Sequence, residues 1–194
     1  MPEDDRFRNT EECFNYLAGH AVQSTWTFVN IAKFKWSEAL IGYSLGAVGL
    51  LVAIVQGVLI RFLNPKIGNE KSVYIGLSLY TLGLVLFAFA SQTWMMFVFL
   101  IPYCLGGIAG PALQSIISGK MPANEQGELQ GALTSVMSLT SIVGPVIMTH
   151  LFAWFTRPAS PVKFAGAPFL LGAILMLISV IISYITLKTK AAKF

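Results

Sequence analysis

Two histidines, three glutamines and one tryptophan stand out as side chains able to bind or move something inside long uncharged stretches: His20, Gln23, Trp26, Gln56, Gln114 and His150. A primary amide held away from bulk water has up to four hydrogen-bonding sites to satisfy. Gln23, Gln56 and Gln114 are therefore candidates to line a cavity. His20 lies three residues before Gln23, on the same helical face. It is either a proton-titrating or ligand-contacting group, or a neutral hydrogen-bonded imidazole. His150 stands near the end of its stretch, where the ring reaches interfacial water. Hydroxyls are numerous around Thr134, Ser135, Ser138, Thr140 and Ser141. Their ordinary role is helix packing, because a small hydroxyl lets backbones approach and bonds back to a carbonyl.

The elements that must position these groups follow from the charges. The 194 residues are 55% hydrophobic and 11% charged, against about 45–50% apolar and 25% charged in a soluble domain. Seven charges lie in 1–12, and the rest cluster at 33–38, 61–71, 120–128, 157–163 and 188–193. The intervening stretches 13–32, 39–60, 72–119, 129–156 and 164–187 carry none. A membrane-crossing helix needs about 20 mostly apolar residues. The 48 residues of 72–119 hold two such helices, divided at Ser91-Gln92-Thr93. An all-α integral membrane bundle of six transmembrane helices is thus expected, at 13–32, 39–60, 72–90, 94–118, 129–155 and 164–187. A polar cytoplasmic segment 1–12 precedes the bundle 13–187, and a basic cytoplasmic tail 188–194 follows it. The alternating segments of about ten residues that mark a membrane β-barrel are absent.

Six crossings leave both termini on one side, which carries nine basic residues against Lys33, Lys35, Arg157 and Lys163 on the other. The positive-inside rule makes the richer side cytoplasmic, with the cytoplasmic (inner) membrane as the location. Trp36, Trp94 and Trp154 then fall at the outer interface, which suits an amphipathic indole. The net charge of +4 reflects basic loops facing anionic lipid, with no nucleic-acid partner. Cys13 and Cys104 stand at different depths and suggest no disulfide or metal site. Polar residues concentrate in the first and fifth spans, which read as interior, and thin out in the sixth, which reads as lipid-facing. A serine protease within the membrane is a remote alternative. Ile116-Ile-Ser-Gly119 lacks the first glycine of a Gly-x-Ser-Gly nucleophile, and His150 lies near the opposite face.

Pro102, Pro111 and Pro145 interrupt spans, and the fourth span reads Gly106-Gly-Ile-Ala-Gly-Pro-Ala-Leu-Gln114. Interrupted spans of this kind point to a transport path near the bilayer midplane. Two further stretches are distinctive: Phe34-Lys-Trp-Ser-Glu-Ala-Leu-Ile-Gly-Tyr-Ser-Leu45 with Gly49-Leu-Leu51, and Gln126-Gly-Glu-Leu-Gln-Gly-Ala-Leu-Thr134 running to Ser138-Leu-Thr-Ser-Ile-Val-Gly-Pro145. Together they resemble the second half, helices seven to twelve, of drug-efflux transporters of the major facilitator superfamily, specifically the tetracycline-resistance efflux proteins.

The resemblance implies two six-helix halves around a central cavity, each half a pair of inverted three-helix repeats. It implies an amphiphilic, drug-like, tetracycline-like substrate and no cofactor, with the proton gradient as energy source. The cavity would be lined in this half by the first, second, fourth and fifth helices, and the substrate-contacting candidates are His20, Gln23, Trp26, Gln56, Gln114 and Ser138. Gly19, Trp26, Phe34 and Trp36 match the family pattern, whereas His20 and Val22 depart from it. In the loop 61–71, Lys66 and Gly68 match a cytoplasmic signature, and Pro65 stands where an acid is usual. None of the six expected spans contains Asp or Glu, so the main coupling acids would belong to the six helices this chain lacks. The expectation is therefore a C-terminal fragment from a split or truncated reading frame that needs an N-terminal six-helix half or a second copy. A non-transporting remnant, or a subunit of a partner assembly, is the alternative.

Overall fold

The computed structural model describes residues 3–119, 122 and 125–191, and every regular element among them is helical. Helix α1 spans Glu3–Phe34 and α2 Glu38–Ile54. A π-helical turn, Val55–Leu59, joins α2 without a break to α3, Ile60–Ile67. Then follow α4 (Asn69–Phe89), α5 (Thr93–Gly106), α6 (Ala109–Ser118), α7 (Gln126–Thr156) and α8 (Ala167–Ala191). Five stretches among the described residues are long and apolar enough to cross a membrane: Glu38–Ile67, Asn69–Phe89, Thr93–Ile116, Gln126–Thr156 and Ala167–Ile185. Helix α1 is long enough, at 32 residues, but too polar to stand among them. It packs between α7 and α8, so protein rather than lipid covers much of it.

The polar segment 1–12 does not form a separate element: from Glu3 onward it is the start of α1. The expected loop 61–71 also shrinks. Helix α3 runs through Pro65 to Ile67, and Gly68 alone separates it from α4. Gly68 adopts φ +84°, a conformation essentially closed to other residues. The side chains of the basic tail 188–194 lie outside the description, as do residues 120, 121, 123 and 124 of the loop 120–128.

Packing follows small residues, since lipid is as apolar as the side chains and supplies no hydrophobic drive between helices. Helix α4 meets α5 and α6 through Gly76, Gly83 and Gly106. A Cβ on Gly83 would lie 2.8 Å from Tyr103, and one on Gly106 2.6 Å from Tyr80. The sixth expected span is not a lipid-facing outlier. As α8 it lies against both α1 and α4, and it buries Phe169, Ala173, Met176, Ser179 and Ser183. Its outer face, with Ile174, Leu177 and Ile181, is exposed. Gly172 explains the close fit, because a Cβ there would stand 2.8 Å from that of Ala21. Helix α7, expected to be interior, packs on α1 with one face and leaves the other open. The α2 to α3 stretch is the least covered of all.

An aromatic cluster ties the bundle together near one end. Trp26 meets Phe87 edge to face at 5.1 Å, and Phe87 contacts Tyr103 and Phe169. Trp36 stacks on Phe97 at 5.5 Å and donates its indole N–H to Thr93 Oγ1 at 3.1 Å. It is only 5% exposed, so it is a packing residue rather than an interfacial anchor. Trp94 and Trp154 are exposed.

Candidate functional site

A cavity of about 460 Å³ lies between α1, α2, α4 and α5. Gln23, Trp26 and Thr27 enter from α1, Leu45, Val48 and Val52 from α2, Gln56 from the π-helical turn, and Tyr80 from α4. Tyr103, Cys104 and Gly107 close it from α5 and the break that follows. Two helical irregularities thus meet at one place. Gln56 belongs to the wide turn, a feature often found at functional sites. Opposite it, α5 gives way to α6 through tight bonds from Gly107 N–H to the Cys104 carbonyl (3.0 Å) and Ile108 N–H to the Leu105 carbonyl (3.2 Å). Irregular backbone at membrane depth is tolerated where it is buried in protein or lines a cavity. Pro111 does not cause the break: it is the third residue of α6, where a missing N–H costs nothing.

The walls are mostly apolar, and no lining residue carries a charge. Tyr80 donates to the Tyr103 hydroxyl at 3.0 Å, which leaves the pair one further hydroxyl proton. Trp26 donates its N–H to Ser44 Oγ at 2.9 Å, and Ser44 donates to the Ile41 carbonyl at 2.7 Å. The indole is therefore a fixed aromatic wall whose polar edge is already used between α1 and α2. Gln23 and Gln56 are the amides that remain. Apolar walls with a few convergent polar groups suit a neutral or amphiphilic small molecule.

Three of the six expected contacts, Gln23, Trp26 and Gln56, come together in this cavity. His20 is not among its lining residues. It fits into the seam between α1 and α7, where a Cβ on Gly144 would lie 2.6 Å from its ring. Three residues along a helix turn the side chain about 60° away from Gln23, enough to change neighbours. Gln114 donates to Gln130 Oε1 at 3.3 Å and clasps α6 to α7 on an exposed surface. Ser138 is exposed on the open face of α7, beside Ser135 and Ser141, which donate to the Gly131 and Met137 carbonyls. Thr27, Tyr80, Tyr103 and Cys104 were not anticipated. Tyr103 and Cys104 adjoin the Gly- and Pro-rich run that signals a path, but a lone Tyr80 in an apolar span carries no such signal. Ser118 ends α6 whereas His150 lies toward the far end of α7, which keeps a serine nucleophile and a histidine base apart.

A second buried group lies in the polar segment at the start of α1. Glu11 and Glu12 are 3% and 5% exposed. The Ser183 hydroxyl of α8 donates to Glu11 Oε1, and Ser179 donates to the Glu11 carbonyl at 3.3 Å. Burial pushes the Glu11 carboxyl up to about 7 against the opposing pull of the Ser183 bond. Glu12 also rises to about 7, first through burial and then through the neighbouring charge of Glu11.

The family model described as Major Facilitator Superfamily matches residues 13–193. The chain belongs to the Major Facilitator Superfamily. Among its relatives, the tetracycline resistance protein, class C, of Escherichia coli is 36% identical over 162 residues, covering 84% of this chain and 40% of that protein. The class G protein of Vibrio anguillarum matches at the same identity and coverage. The crystal structure of the human organic anion transporter MFSD10 (TETRAN) superposes with a TM-score of 0.75 at 23% identity, over 91% of this chain and 40% of that one. At that identity the likeness shows the fold. The chain spans about two fifths of the length of these relatives. The superfamily is one of membrane transporters and not a class of enzyme, so the protease alternative falls away.

Proposed function

We propose that the chain is the six-helix C-terminal half of a proton-coupled exporter of amphiphilic, tetracycline-like molecules, in which α1, α2 to α3, α4, α5 to α6, α7 and α8 are six crossings built as two inverted three-helix repeats. Both termini face the cytoplasm across the inner membrane. The observation that carries this reading is the uncharged cavity at which the π-helical turn of Gln56 and the break at Gly107 converge. Gln23, Gln56 and the Tyr80–Tyr103 hydroxyl pair hydrogen-bond the substrate there, and Trp26 supports its apolar face. The relatives named for tetracycline resistance support the substrate class.

The missing partner is an N-terminal six-helix half, or a second copy in its place, and it covers α2 and the open side of α7. That side exposes Gln130, Thr134, Ser135, Ser138 and Ser141, a polar stripe that suits protein or a water-filled path better than lipid. Cellular accumulation of a tetracycline, measured with the chain alone and with a matching N-terminal half, with and without a proton uncoupler, tests the proposal. Reduced accumulation that needs the added half and disappears with the uncoupler is expected. Export by the chain alone would assign the partner role to a second copy. Unchanged accumulation with both halves in the membrane would reduce the chain to a non-transporting remnant.

A further inference from the structure

A second pocket, of about 300 Å³, lies at the opposite end of the bundle from Glu11, where α1 and α7 finish and the chain enters α8. It is lined by Lys33, Lys163, Phe155 and Phe164, with Ala32, Ala165 and Thr156 completing the wall. Lys33 is half-buried. Its ammonium donates to the Ala88 carbonyl at 3.3 Å and lies 5.6 Å from the Phe34 ring. Thr156 gives its hydroxyl to the Phe152 carbonyl at 2.7 Å, so the two ammonium groups are what the pocket offers a ligand. Acid is scarce nearby: the clusters 33–38 and 157–163 contain Lys33, Lys35, Arg157 and Lys163 against Glu38 alone. The remaining lining is apolar. The exposed Trp94 and Trp154 rings, at the beginning of α5 and the end of α7, mark this end as the boundary between hydrocarbon and head groups.

We propose that this pocket holds the head group of an anionic lipid, with the phosphate between Lys33 and Lys163 and the adjoining glycerol and first methylenes against Phe155 and Phe164. The recognised chemistry is a phosphate anion carried on an apolar chain. A lipid, rather than free phosphate, fits the observations because the two cations are set in an aromatic and alanine wall that a bare anion would leave unused. Lysines near a membrane surface attract anionic lipid additively. Losing one is expected to weaken binding about fivefold, and losing both about thirtyfold.

The test uses the purified chain in neutral detergent, titrated with a short-chain phosphatidylglycerol, the matching phosphatidylcholine, and inorganic phosphate, with bound lipid counted by native mass spectrometry. Phosphatidylglycerol is expected to bind one to one and at least tenfold more tightly than phosphatidylcholine. Inorganic phosphate at the same concentration is expected not to displace it. Lys33→Gln and Lys163→Gln should each lower affinity about fivefold, and Lys33→Arg should restore it. Lys163 is exposed on the connecting loop, so its substitution reads binding without disturbing the α1 to α4 joint made by Lys33. Equal binding of the two lipids, unchanged affinity in the double variant, or displacement by inorganic phosphate would each overturn the proposal.

Discussion

Replacing Glu11 by glutamine should stabilise the protein at alkaline pH and leave it unchanged in acid. Glu11 and Glu12 are buried near the start of α1, Glu11 against α8, and burial pushes both carboxyls from 4.5 to about 7. A carboxyl that holds its proton more tightly in the folded protein favours folding as long as that proton stays on. The contribution is present in full below about pH 4.5, declines between 4.5 and 7, and is gone above 7. A rise from 4.5 to about 7 corresponds to about 3 kcal/mol for each group. Glutamine keeps an oxygen to accept the Ser183 hydroxyl and has no charge to bury. Glu11→Gln should therefore recover about 3 kcal/mol at pH 8 and nothing at pH 4.

The two acids are coupled, since the charge on Glu11 is a cause of the rise at Glu12. Removing one eases the other, so the double Glu11→Gln, Glu12→Gln variant should gain more than either single but less than their sum. Unfolding by sodium dodecyl sulfate in mixed micelles, followed by circular dichroism at pH 4, 6 and 8, measures these differences. The parent chain should lose stability from pH 4 to 8, and the double variant should show a flat profile. Stability that increases with pH in the parent, or a loss on Glu11→Gln at pH 8, would refute the burial of this pair between α1 and α8.

Three further outcomes follow from the geometry. Trp26→Phe keeps the aromatic wall but loses the bond to Ser44, so it should cost about 1 kcal/mol of stability in the same unfolding assay and leave α2 more open to hydrogen exchange. Gly106→Val drives a side chain into Tyr80, whose Cβ is 2.6 Å from the position of the first added carbon. It should destabilise by about 3 kcal/mol or more, and Gly110→Val, with open space around it, should be near neutral apart from helix propensity. Lys35 holds φ +57° between α1 and α2. Lys35→Gly should therefore stabilise by about 1 kcal/mol, visible as a higher midpoint of thermal unfolding.

Charge spacing located the apolar helices well because an ion at membrane depth is expensive whatever surrounds it, so the signal is local to each residue. The turn at Gly68 was legible for a similar reason, since its φ of +84° depends on what a glycine backbone can adopt. The tertiary assignments were harder to read. Trp36 has the composition of an interfacial anchor, yet Phe97 and Thr93, 61 and 57 residues away, bury it. Glu11 looked like part of a solvated segment until Ser179 and Ser183 of α8 supplied its partners. Both outcomes depend on which helix lies opposite, and a single sequence does not carry that.

Helices α7 and α8 show the same point from its functional side. By polarity alone, a helix rich in hydroxyls belongs inside and a helix of Ile and Leu belongs outside, and that ranking placed α7 in the interior and α8 in lipid. In the chain by itself the order is reversed: α8 is clasped by α1 and α4, and α7 exposes its hydroxyl stripe. The reversal is informative because the two exposed surfaces differ in kind. The outer face of α8 presents Ile174, Leu177 and Ile181, groups that lipid covers without cost. The open side of α7 presents Leu139, Ile142 and Val146 as well, but beside them runs the row of Gln130, Thr134 and Ser138, which lipid covers poorly. A polar row on a membrane helix, uncovered by its own chain, is what the proposed function accounts for: on that reading another six helices face it across a path for solute.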